Sequence, residues 1–131
     1  MVSLQCLWQS ERVEERLVIT PLPQRGTTMK DEANLLGGDF SKCIEFHGHA
    51  CPGLAIGFQA ARTLMERLGA RKALDEALVA TVETNACGAD AIQVMTGCTF
   101  GKGDFLLKHY GKHAFSLMDR KKGKGVRVCL Q

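Results

Sequence analysis

From Phe46 to Gly53 the chain reads Phe-His-Gly-His-Ala-Cys-Pro-Gly, and no other stretch constrains the fold as strongly. His47, His49 and Cys51 stand at alternate positions just ahead of a Pro-Gly pair. In extended backbone, alternate residues share one face, so three metal-ligating side chains can converge there without any helix. Pro52 disfavours helical backbone at Cys51 and suits the first position of a helix. The run from Leu54 to Leu68 then reads as that helix, ended by Gly69, with Cys51 as its N-cap. Unpaired N–H groups at a helix start favour negative charge on a sulfur placed there, and thiolates are what bind metals or attack electrophiles.

The chain has 131 residues with 45% apolar content and a formal charge of +3. That fits one compact domain and gives no electrostatic footprint for nucleic acid or a membrane surface. Six cysteines (Cys6, Cys43, Cys51, Cys87, Cys98, Cys129) occur without a secretory signal, since Glu11, Glu14 and Glu15 interrupt the start. No stretch is apolar for long enough to span a bilayer. The expectation is a cytoplasmic protein with free or metal-bound thiols rather than a disulfide framework.

Residues 1–38 differ from the rest and read as an extended or poorly ordered leader, with Pro21-Leu22-Pro23-Gln24-Arg25-Gly26 near its middle. Met29 is an alternative start, which N-terminal mass spectrometry would decide. From residue 39 the chain reads as one domain to residue 131. Asp39 is expected to cap a short helix with Phe40, Cys43 and Ile44 on its buried face, Cys43 being a packed thiol. In the next helix Leu54, Phe58, Ala61, Met65 and Leu68 form the apolar stripe, and Gly57, Ala60 and Ala61 admit another backbone closely. Leu78 to Thr84 alternates as a strand and leads into a turn that sets Cys87 at the start of a further short helix, with Asp90 on the same face. The segments 105–107, 114–118 and 125–129 are expected to form an antiparallel meander. The tip at Arg120-Lys121-Lys122-Gly123-Lys124 reads as solvated.

No CxxC pair is present, so any site is assembled from separate turns. Thr96-Gly97-Cys98-Thr99-Phe100-Gly101-Lys102-Gly103 resembles a phosphate loop but is one residue too short, and Gly103 stands where Ser or Thr would bind magnesium. The candidate metal ligands are His47, His49, Cys51 and Cys87. Cys51, Asp90 and Lys102 are the candidate catalytic groups, and Cys98, Thr99 and Tyr110 the other pocket residues. The bland alternatives are that the cysteines pack, the histidines cap helices and Lys102 is a solvated loop lysine.

Four motifs occur in order: Phe46-His47-Gly48-His49-x-Cys51-Pro52-Gly53-Leu54-Ala55-Ile56-Gly57, Val82-Glu83-Thr84-x-x-Cys87-x-x-Asp90-Ala91-Ile92-Gln93, Thr96 to Gly103, and Tyr110-Gly111-Lys112-x-Ala114-Phe115. Together they resemble the FmdE domain, a family named after formylmethanofuran dehydrogenase. The resemblance spans about Asp39 to Cys129. It implies an α+β fold, an antiparallel sheet packed by helices, usually as a homodimer, with a cleft where the His-Cys turn meets the other cysteine motifs. Longer members carry a C-terminal zinc finger; its paired cysteines are missing here, so that site is not carried over. The chain reads as a minimal member or a truncated frame.

The leading expectation is therefore a cytoplasmic metal-binding protein. A divalent ion, zinc by donor type, would be held by His49 and Cys51 with Cys87 or His47. Asp90, Cys98 and Lys102 would line an open pocket, and the resemblance implies a link to molybdenum or tungsten oxidoreductases. Two alternatives stand beside it. One is a thiol enzyme with Cys51 as nucleophile, His47 or His49 as base, and Cys87 or Cys98 as resolving thiol. The other is a non-catalytic accessory protein docking a larger oxidoreductase.

Overall fold

The computed structural model describes residues 12–17, 38–73 and 75–130. Its elements are β1 (Arg12–Leu17), α1 (Gly38–His47), α2 (Pro52–Leu68), β2 (Leu78–Val82), α3 (Gly88–Thr96), β3 (Phe105–Leu107), β4 (Ala114–Asp119) and β5 (Lys124–Leu130). The fold is α+β, and the five strands form one sheet in the order β1-β5-β4-β2-β3. Of the leader, Arg12–Leu17 and Gly38 are described; Arg12–Leu17 is extended and runs parallel to β5, from Arg12 opposite Gly125 to Leu17 opposite Leu130. The Pro21–Gly26 stretch and Met29 lie outside the described residues.

The expected meander is only partly present. β4 and β5 form an antiparallel hairpin and β2 pairs antiparallel with β4, but β3 pairs parallel with β2, Ala80 opposite Phe105. The sheet is thus mixed. Parallel neighbours need a crossover between them, and α3 supplies it, so β2, α3 and β3 form one unit with the β2-to-α3 turn at the carboxyl end of β2.

Alternating burial along β4 sends Phe115 and Leu117 into the core beneath α2 and α3, together with Val82, Val126 and Val128. On α2, Leu54, Phe58, Ala61 and Leu68 are buried, and Met65 is partly so. The wholly buried Leu54, Phe58 and Leu64 contribute roughly 1.5–3 kcal/mol each. A second cluster, Phe40, Cys43, Leu54, Ala55, Phe58 and Ala91, fastens α1 to α2 and α3. Phe40 and Phe58 meet there with ring centroids 5.1 Å apart.

Asp39 is not the N-cap expected for α1. The helix begins at Gly38, and Asp39 lies in its first turn, where Lys42 Nζ donates to it at 2.8 Å and holds the carboxyl below its ordinary range. The basic hairpin tip is exposed but also has a structural role. Lys122 Nζ lies 3.4 and 3.3 Å from the carbonyl oxygens of Leu68 and Gly69, at the negative end of α2.

Burial, and secondarily the Asp39 carboxylate, pushes the Cys43 thiol from 9.0 up to about 11. The unfolded chain releases this proton first, so folding binds an extra proton between those two values. Stability is unaffected below the lower value and falls as pH rises through the window. Urea unfolding of wild type and Cys43→Ala at about pH 8 and about pH 10.5 should show the wild type losing more of its midpoint. Equal losses in the two proteins would contradict this assignment.

Candidate metal centre

α1 ends at His47, and Gly48, with φ 99°, turns the chain while its N–H donates to Ile44 O at 2.7 Å. Only a residue without a side chain enters that conformation easily. The backbone is extended at Cys51 (φ −147°, ψ 161°), Pro52 opens α2, and Leu54 N–H donates to Cys51 Sγ at 3.4 Å. Cys51 is thus the N-cap that the Cys-Pro-Gly spacing implies. Its sulfur stands over the positive end of the helix.

The second thiol arrives through a close helix contact. A Cβ on Gly57 would lie 2.3 Å from Gly88 O, so α2 and α3 touch backbone to backbone. A Cβ on Gly53 would lie 3.2 Å from Cys87 Cβ. This contact carries the start of α3 against the start of α2 and sets the two cysteines side by side.

His47, Cys51 and Cys87 each direct one ligand atom into a common region, all within 4.8 Å of one another. His47 Nε2 is 3.8 Å from Cys51 Sγ, and His47 Nδ1 lies 2.6 Å from Asp90 Oδ2. The carboxylate can only accept, so Nδ1 carries a proton, and Nε2 is the ring nitrogen that faces the Cys51 sulfur and could ligate. A carboxylate behind a ligating histidine fixes its ring and raises its donor strength. Asp90 thus supports His47 and does not itself project into the ligand group.

The Cys87 thiol is raised above its ordinary value, first by the hydrogen bond it shares with Cys51, then by partial burial and the Cys51 charge. Cys87 makes no side-chain cap bond, and its backbone is already helical (φ −48°, ψ −33°). The expectation of thiolate character therefore needs correction at Cys87, whose thiol the neighbouring Cys51 sulfur holds up. Two sulfurs and an imidazole converging in this way are a donor set suited to a borderline-soft cation.

The remaining candidates stand apart from this group. His49 is exposed and stacks on His47, ring centroids 4.7 Å apart, without joining the converging atoms. Cys98 is fully buried in the main core and donates to Leu78 O at 3.4 Å, so it lines no open pocket. Burial also raises its thiol. Lys102 Nζ lies 3.1 Å from Asp104 Oδ2, close enough for charge pairing though not aligned as a hydrogen bond. Thr99 serves the same loop: its N–H donates to Asp104 Oδ1 at 2.8 Å, and its Oγ1 accepts from Lys102 N–H at 3.3 Å. Lys102 thus pairs with the buried carboxylate of its own loop and stands apart from the His47–Cys51–Cys87 group. The Tyr110 ring is exposed, while its N–H donates to Glu83 O at 3.0 Å.

Buried structural acids, among them Asp104 and Glu83, have no counterpart in the sequence-based expectations. Asp104 is wholly buried, and Glu83 pairs with Arg127 across the sheet, Nε donating to Oε1 at 2.8 Å. The only sequence signal for Asp104 was a carboxylate two residues after Lys102; Glu83 has no local one, because Arg127 lies on another strand.

The model of a family described as "FmdE, Molybdenum formylmethanofuran dehydrogenase operon" matches residues 46–131. The chain belongs to that family. A curated relative of this FmdE-family chain, the "Probable S-adenosyl-L-methionine-binding protein" of Archaeoglobus fulgidus, is 43% identical over 88 residues, covering 64% of this chain and 24% of its own length. The FmdE-family fold here also resembles the crystal structure of a tungsten formylmethanofuran dehydrogenase FmdE-like protein from Syntrophus aciditrophicus. That likeness has a TM-score of 0.54 at 32% identity and covers 63% of this chain and 43% of that one. The chain thus spans about a quarter of the curated relative it matches.

Proposed function

We propose that this FmdE-family chain binds a divalent metal ion, zinc by donor chemistry, through His47 Nε2, Cys51 Sγ and Cys87 Sγ. The convergence of those three atoms within 4.8 Å carries the reading. Asp90 orients His47 from behind, and His49 stays outside the ligand set. Three protein ligands leave a fourth tetrahedral position, the arrangement of a reactive rather than a purely structural zinc site. An ion there would supply a Lewis acid with room for a substrate donor.

The wider setting belongs to the same proposal. The family description and the Syntrophus protein's title both name formylmethanofuran dehydrogenase, which supports a role beside a molybdenum or tungsten oxidoreductase; a cytoplasmic location and a homodimeric state are further parts of the proposal. Among the described residues no helix is long and apolar enough to cross a membrane. S-adenosyl-L-methionine binding is not carried over, because the alignment spans 24% of the relative so named.

Metal analysis of protein purified without oxygen tests the reading. About one ion per chain is expected in wild type, with strong loss in both Cys51→Ser and Cys87→Ser, because hydroxyls replace thiolates. Wild type without metal, even after zinc is added and excess removed, would overturn it.

A further inference from the structure

The same geometry that gathers two sulfurs for a cation also places them for bonding to each other. Both lie in the group whose ligand atoms are all within 4.8 Å of one another. A disulfide requires sulfurs about 2.05 Å apart and β-carbons about 3.5–4.5 Å apart, so the sulfurs must close by an ångström-scale movement. The chain can supply it. Cys51 ends the short non-helical link after Gly48, and Gly53 has no side chain to hold Cys87 away from the first turn of α2.

The pairing is also selective. Cys43 and Cys98 are wholly buried, and Cys129 sits on β5 with its sulfur against Leu130 O. Among the described cysteines, Cys51 and Cys87 are the two that are both partly exposed and adjacent.

We infer that hydroperoxides convert Cys51 and Cys87 into an intramolecular disulfide, which removes both sulfur ligands and releases the bound ion. The release rests on the metal reading above; the disulfide does not. The Cys51 sulfur attacks one peroxide oxygen, forming S–O and breaking O–O, and the thiol proton goes to the departing oxygen as water or alcohol. His47 Nε2, 3.8 Å from that sulfur, is placed to carry the proton. The Cys87 sulfur then attacks the sulfenic sulfur of Cys51. S–S forms, S–O breaks, and the Cys87 proton leaves with the second oxygen as water. The peroxide gains two electrons and the two thiols lose them. From the metal-bound form the two protons come from solvent and the cation departs.

The test treats zinc-loaded protein, reduced and handled without oxygen, with about one equivalent of hydrogen peroxide, followed by alkylation and peptide mass spectrometry beside a zinc-sensing dye. A Cys51–Cys87 crosslink lighter by two hydrogens is expected, with about one equivalent of zinc released and both changes reversed by dithiothreitol plus zinc. In Cys87→Ser, where the resolving thiol is gone, a sulfenic acid trapped by dimedone on Cys51 is expected. Wild type that keeps both thiols alkylatable, or that carries Cys51 to sulfinic acid without a crosslink, overturns the disulfide while leaving the metal reading intact. A crosslink in protein that never binds zinc supports the disulfide and overturns its link to metal release. A crosslink that forms with the zinc still bound likewise overturns that link.

Discussion

Alanine at Gly57 is expected to lower stability by about 3 kcal/mol and the thermal midpoint by roughly 10 °C. It should also weaken metal retention. In an exposed helix the same change would stabilise by about 1 kcal/mol, since glycine is the poorer helix former. Here the new methyl would lie 2.3 Å from Gly88 O and 2.4 Å from Gly88 Cα. Neither atom is the end of a flexible side chain, so α2 and α3 must separate, and with them Cys51 and Cys87. Gly101→Ala is the control, because nothing lies within 4 Å of its Cβ position. Thermal unfolding and metal content of the two variants decide the matter. A Gly57→Ala protein as stable as wild type would show that the helix contact does not position the site.

The second large effect separates two imidazoles that the sequence could not tell apart. His47→Ala should lower metal affinity by more than about a hundredfold, because the effect of losing a ligand exceeds the 10- to 100-fold typical of losing its supporting partner. Asp90→Asn should fall in that lower range: the amide can still accept from Nδ1–H but lacks the charge that strengthens the histidine. His49→Ala should stay close to wild type, since its ring stacks on His47 and contributes no converging atom. Competition against a chromophoric chelator measures all three. If His49→Ala lost metal and His47→Ala retained it, the ligand set would be wrong. Retention of wild-type affinity in Asp90→Asn would remove the carboxylate's supporting role.

Elements governed by neighbours in the chain were legible in advance. The Cys51 cap, the Pro52 start of α2 and its Gly69 end follow from dihedral preferences and unpaired N–H groups within a single turn, and the structure shows each where the residues imply it. So was the β4–β5 hairpin, where two apolar runs flank a charged glycine-containing tip. Cys43 as a packed thiol was readable from helical spacing together with the burial preference of free cysteine.

Features set by distant partners were not. Whether β3 joins β2 in parallel or β4 in antiparallel depends on the crossover through α3, and the three residues Phe105–Leu107 carry no register information of their own. Cys98 shares a glycine-rich neighbourhood with functional-looking residues, yet its sulfur faces Leu78 in the core. Lys102 reads as a free cation until Asp104 is seen beneath it.

By itself the sequence determined which residue types could form a metal centre and placed Cys51 and Cys87 at helix starts, because spacing and local backbone preference act within a few residues. Only the tertiary structure decided that His47, and not His49, joins the two sulfurs. It also decided that Asp90 stands behind the imidazole and Cys98 does not take part. The physical reason is the Gly57–Gly88 contact, which brings into register two helix starts more than thirty residues apart in the chain. No local propensity encodes the distance between them.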